Sequence, residues 1–169
     1  MAGQQIELNP VDFITVGTIG PKGQRIFHLQ GGQGDQLVSL TIEKEQAWAL
    51  SEAVRELLED LDKRYPEADS PQELDLSRVD MDLREPIEPV FRVSQMGLGY
   101  DEDQDMIILV AQEAIVVEED TDTSLIEPGV VRMWCNRDQM RLLSEHTMEV
   151  LKSGRADAKQ NGRLIYYWT

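Results

Sequence analysis

Two Ser-Glu pairs, Ser51-Glu52 and Ser144-Glu145, place a hydroxyl beside a carboxylate, the residue types of a nucleophile and its base. Adjacent residues on a helix do not face each other, so the pairing is expected to serve packing and solubility rather than catalysis. His28 and His146 have the right chemistry for a general base. Neither can be placed from spacing beside a serine or cysteine with an orienting carboxylate, and both read as packing or surface histidines. Asp101, Asp103 and Asp105 match positions one, three and five of a calcium loop. Position six is Met106 where glycine is wanted, and position twelve is Gln112 where a bidentate glutamate is expected, so these are weak metal candidates and an acidic hairpin turn explains the same letters. The lone Cys135 allows no internal disulfide and no cysteine metal cluster within one chain. No catalytic residue, no cofactor and no firm metal site is assigned, and the chain leans away from being an enzyme.

The elements that would carry these residues are organised around a repeat. Residues 44–58 return as residues 137–151, a shift of 93, with identities at Gln46/Gln139, Leu50/Leu143, Ser51/Ser144, Glu52/Glu145, Glu56/Glu149 and Leu58/Leu151. Average residue usage predicts roughly one identity over such a stretch. Ala47, Leu50, Val54, Leu57, Leu58 and Leu61 recur at three- and four-residue spacing, which describes an amphipathic helix, and Met140, Leu143, Thr147, Val150 and Leu151 hold the same face in the copy. Asn136 is a good N-cap for the second helix, which ends at Ser153-Gly154; the first ends near Tyr65-Pro66.

Each helix follows three strand-like stretches: 13–19, 25–29 and 37–42 before the first, and 90–96, 106–111 and 130–135 before the second. The glycine-rich connections 20–23 and 31–35 lead into strands, as in hairpins, and not into a helix N-terminus as a phosphate loop requires. Residues 66–88, opened and closed by prolines, read as a linker that lays an extended segment against the body. The fold class expected is α+β: two strand-strand-strand-helix repeats, about 6–65 and 89–154, related by a pseudo-two-fold, with a mostly antiparallel sheet covered by two helices. Residues 1–154 form a single domain in this reading and 155–169 a tail. The acidic stretch 118–123 is an insertion the first half lacks.

Thirty-two acidic residues against sixteen basic give a formal charge of −16, and no Lys or Arg lies between Arg92 and Arg132. Such a field repels phosphate backbones. A single-stranded nucleic-acid binder by analogy with PUR-like repeats is the alternative function, and charge argues against it. No mobility shift of single-stranded oligonucleotides is expected at physiological salt and micromolar protein; a shift would overturn that reading. Absence of a charged-then-apolar leader and of any apolar run near eighteen residues points to a cytoplasmic protein with no membrane partner.

Asp12-Phe13 with Val16-Gly17-Thr18-Ile19-Gly20, Phe91-Arg92-Val93 with Met96-Gly97-Leu98-Gly99-Tyr100-Asp101, and Ser153-Gly154-Arg155 together resemble an uncharacterised bacterial repeat-protein family, a domain of unknown function common in high-GC Gram-positive bacteria. The resemblance covers nearly the whole chain up to Arg155. It implies no activity, substrate or catalytic residue. Family members continue after the Gly-Arg pair with a Cys- and His-containing segment that looks like a small zinc site; this chain has no Cys or His there, so zinc binding is not implied.

The function expected is unknown in its biochemistry and, as a class, that of a non-catalytic interaction or scaffold protein. Leu164-Ile165-Tyr166-Tyr167-Trp168 is an aromatic, β-prone run, and Tyr166, Tyr167 and Trp168 are the expected partner-binding residues, either for a protein partner or for self-association through the tail.

Overall fold

The computed structural model describes residues 3–21, 23–66, 79–115 and 126–153. The strands are β1 (Gln5–Leu8), β2 (Phe13–Ile19), β3 (Ile26–Gln33), β4 (Gln36–Ile42), β5 (Pro89–Asp101), β6 (Met106–Glu113) and β7 (Val130–Cys135). Helix α1 (Lys44–Arg64) follows β4 and α2 (Arg137–Ser153) follows β7. The fold is α+β, a seven-stranded open sheet in the order β1-β7-β6-β5-β4-β3-β2 with two helices. Pairing is antiparallel except at β1–β7 and at β4–β5, which are parallel.

β1 and β2 lie at opposite edges of this sheet although only four residues separate them in the chain. The connection is bonded to both sides: Val11 N–H donates to the Trp134 carbonyl of β7 at 2.9 Å, and Asp12 N–H donates to the Gly32 carbonyl of β3 at 2.7 Å. A short connection can reach both only if the sheet curls until its edges approach. Gly31 of β3 shows the same closeness, since a Cβ there would lie 2.7 Å from Met133 Sδ of β7.

Three elements differ from the sequence reading. β1 is an additional strand, recruited by parallel pairing with β7 rather than by any hairpin partner near it in sequence. β3 runs through Gly31-Gly32-Gln33, where a loop was expected, and only Gly34, with φ +58°, and Asp35 turn. These glycines mark close approach: a Cβ on Gly32 would sit 2.4 Å from the Phe13 ring. β5 extends to Asp101 through Gly97 and Gly99, because its far end is held by the β6 ladder, Gly97 opposite Val110 and Gly99 opposite Ile108.

The helix ends follow local chemistry. Asn136 Oδ1 accepts from the Gln139 N–H at 2.7 Å while Gln139 Oε1 accepts from the Asn136 N–H at 2.9 Å, a reciprocal capping box. At the start of α1, Gln46 Oε1 accepts from the Glu43 N–H at 2.7 Å. Both glutamines also tie their helix to the sheet side, Gln46 Nε2 donating to the Val93 carbonyl of β5 at 3.1 Å and Gln139 Nε2 to the Val11 carbonyl of the β1–β2 connection at 3.0 Å.

One hydrophobic cluster runs through both halves. Leu50 and Leu58 of α1 and Leu143 and Leu151 of α2 are all buried in it. The helices are antiparallel neighbours, with the start of α2 beside the end of α1 and their middles in contact. Of the linker, residues 79–88 are described and form a strap over β2 and β3. Thr15 Oγ1 donates to the Met81 carbonyl at 2.6 Å, Gln30 and Arg84 exchange two hydrogen bonds at 2.7 and 2.9 Å, and the Arg84 guanidinium stacks on Phe13 at 3.5 Å. The acidic insertion 118–123 and the tail, with Tyr166, Tyr167 and Trp168, lie outside the described residues.

Candidate functional site

The serines of the two Ser-Glu pairs meet in the contact between the helices. Ser51 and Ser144 are buried where the helices cross; Ser51 Oγ donates to the Ser144 carbonyl at 2.8 Å and Ser144 Oγ donates to the Ser51 carbonyl at 2.9 Å. A hydroxyl that fills a helix contact and satisfies a carbonyl is not aimed at a substrate. His28 is buried on β3 and burial holds its imidazole below the ordinary value, so it is neutral at pH 7. His146 lines a cleft between α2 and the strap with Met81 and Asp82. Burial pushes the Cys135 thiol up to about 12, which leaves it inert as a thiolate nucleophile.

Asp101, Asp103 and Asp105 fall on the β5–β6 hairpin, Asp105 adopting the left-handed conformation with φ +51°. Asp101 Oδ1 accepts from the Gln104 N–H at 3.2 Å. Asp105 Oδ1 accepts from Tyr100 Oη at 2.7 Å and from Arg137 Nε at 3.0 Å. Among the described residues no group of three His, Cys, Asp or Glu is placed to hold a metal ion.

Arg137, the first residue of α2, is buried. It also donates to Asp62 Oδ1 at 3.3 Å and to the Tyr65 carbonyl at 2.6 Å, so one guanidinium ties the start of α2 to the end of α1 and to the β5–β6 hairpin. Burial works against its charge, but the hydrogen bonds with Tyr100 and Asp105 outweigh that and hold it above the usual value. Burial first, then the bond to Asp105, raises the Tyr100 phenol.

A groove of about 520 Å³ lies between α1 and β5. Ala49, Ala53 and Leu57 form one wall, Met96 and Leu98 the other, and Leu109 lies at the floor. The two helices differ in sequence along it. The shift of 93 that carries Leu50 to Leu143 carries Ala49, Ala53 and Leu57 to Leu142, His146 and Val150. Leu142 and His146 are larger than the alanines they match, all three α2 residues are half-buried, and α2 packs closely along β2, whereas α1 meets β5 less closely and its exposed alanines leave the space open. Glu56 and Asp60 stand on the α1 side of the groove.

A second pocket, of about 420 Å³, opens where β3 begins and α1 begins, with Arg25, Lys44 and Arg92 among its walls. Neither concavity was singled out from the sequence. The groove's signal was present as the Ala49/Leu142 and Ala53/His146 mismatches inside a helix that matches at six other positions; the pocket draws on residues 25, 44 and 92, which only the fold brings together. Among the described residues no helix is long and apolar enough to cross a membrane.

Comparison with curated proteins and with solved structures finds no match to this chain. A family model does match over residues 6–163, nearly the whole length, and the chain belongs to that family, described as "Protein of unknown function (DUF3090)".

Proposed function

We propose that this chain is a non-catalytic cytoplasmic scaffold that binds an apolar protein segment in the groove between α1 and β5. The observation that carries the reading is the groove itself, with an apolar lining on both walls. Its two halves are inferred to be pseudo-two-fold repeats in which the second helix closes on its strand and the first stands open. The reciprocal Ser51–Ser144 bonds, the paired capping glutamines and the two parallel pairings, β1 with β7 and β4 with β5, support that relation. The buried, inert Cys135 fits a reducing compartment.

The occupant is the segment Leu164–Trp168, with Tyr166, Tyr167 and Trp168 as its anchors. Aromatic side chains are favoured in apolar interface cores. Ser153, which ends α2, is bonded to Arg25, and Arg25 shares a pocket with Lys44, two residues before Gln46 at the end of the groove. Ten residues, 154–163, lie between α2 and that segment. Lys159 and Arg163 precede it, and Glu56 and Asp60 flank the groove, an attraction that salt weakens.

Deleting Leu164–Thr169 should lower the melting temperature if the segment docks in its own chain, or lower the molecular mass if it docks in a second copy. A peptide covering Gly162–Thr169 should then bind the shortened chain. The double change Ala49→Leu with Ala53→His, which gives α1 the residues α2 carries, should leave the fold intact and abolish peptide binding. Unchanged mass and melting temperature on deletion, together with no peptide binding, would sink the proposal.

A further inference from the structure

The pocket at the start of α1 lacks an anion that the corresponding place in the second half supplies from its own chain. In the second half, Asp105 immediately precedes β6 and its carboxylate lies between Arg137, the first residue of α2, and the hydroxyl of Tyr100 on β5. In the first half the residue immediately preceding β3 is Arg25, the first residue of α1 is Lys44, and Thr18 on β2 stands where Tyr100 stands on β5. The ladders fix these equivalences: Thr18 pairs with Phe27 as Tyr100 pairs with Ile107, one residue inside each hairpin end. A cation thus occupies the carboxylate's position, facing a second cation at the helix start.

We propose that this pocket binds a small dianionic oxyanion, a phosphomonoester carrying an apolar body. Among the described residues Arg25, Lys44 and Arg92 line it together with one acidic residue, Glu43, which is paired with Arg92, so two positive charges are left over among them. A dianion neutralises them. In a chain with twice as many acidic as basic residues, Arg25 Nη1 meets only the hydroxyls of Thr18 at 3.5 Å and Ser153 at 3.2 Å, and its buried Nε has no hydrogen-bond partner among the described residues. A guanidinium with no carboxylate partner among the described residues has its charge free for charge-assisted hydrogen bonds to an oxyanion. The start of α1 adds the positive end of its dipole. Phe27, Ile42 and the exposed Ile26 supply apolar wall, and about 420 Å³ exceeds what a bare phosphate fills. The proposal rests on the correspondence between the halves inferred above and is independent of the groove.

Phenyl phosphate titrated into the full chain, followed by calorimetry, should bind saturably against a sodium chloride control of equal ionic strength. Inorganic phosphate should bind more weakly, and benzoate, a monoanion of similar body, weaker again than phenyl phosphate by about tenfold. Lys44→Gln should lose about tenfold in affinity, while Lys63→Gln, at the far end of α1, changes nothing. Arg25→Asp rebuilds the carboxylate of the second half next to Lys44 and should abolish binding while the melting temperature holds or rises. Binding no better than the chloride control, benzoate equal to phenyl phosphate, or full affinity in Lys44→Gln would each overturn the assignment, and Lys44→Gln decides the matter should Arg25→Asp fail to fold.

Discussion

Leu143→Ala is expected to destabilise the entire described fold by about 2–5 kcal/mol, the range for truncating a fully buried leucine and leaving its cavity. Leu143 has 0% exposure and belongs to the same hydrophobic cluster as Leu50 of α1, Leu29 and Leu40 of β3 and β4, and Ile107 and Met133 of β6 and β7. Because that cluster crosses both halves, the loss should appear as one cooperative transition shifted to lower denaturant. Hydrogen exchange would resolve it by segment. Lost protection in residues 89–153 with residues 6–65 still fully protected would show two cores instead of one.

Arg137→Met should be the second severe change, costing about 2–3 kcal/mol. The guanidinium is only 4% exposed and binds Asp105, Asp62 and the Tyr65 carbonyl, so its removal takes the donor from an acceptor at the end of α1 and the positive charge from the hairpin carboxylate, which keeps the Tyr100 hydroxyl. The cost falls below that of breaking a fully buried pair because Asp62 and Asp105 are themselves 51% and 49% exposed and water takes over part of the loss. Arg137→Lys keeps the charge but not the fork that reaches several acceptors at once, and an intermediate urea midpoint is expected. A midpoint for Arg137→Met equal to that of the parent chain would show that the cluster contributes nothing net.

The helices were legible in the sequence because packing imposes a period that residue types betray. Leu50, Val54, Leu58 and Leu61 recur on one face of α1, Leu143, Thr147 and Leu151 on one face of α2, and all are buried. The cap at Asn136 was legible too, because its chemistry is contained within four residues. The hairpin at Asp101–Met106 was offered as the plain account of three aspartates, and the ladder pairs those two residues. β1 was not legible: its partner β7 is more than a hundred residues away, and four residues with one buried side chain carry no period. Gly31 and Gly32 misled for a physical reason, since glycine marks a turn by its free φ and marks close packing by its missing Cβ, and the letter does not say which.

The sequence by itself determined the two amphipathic helices, six of the seven strands, the chain order that alternates strand groups with helices, and a charge that disfavours nucleic acid. Tertiary structure alone decided where chemistry can occur. Curling of the sheet brings β7 against β3, and pairing β4 with β5 brings Arg92 beside Lys44 and Arg25. The groove lies open because Ala49 and Ala53 of α1 leave unfilled the space beside Met96 and Leu98 of β5. Local propensity depends on neighbours within a few residues, whereas a pocket depends on side chains whose separation in sequence carries no trace of their separation in space.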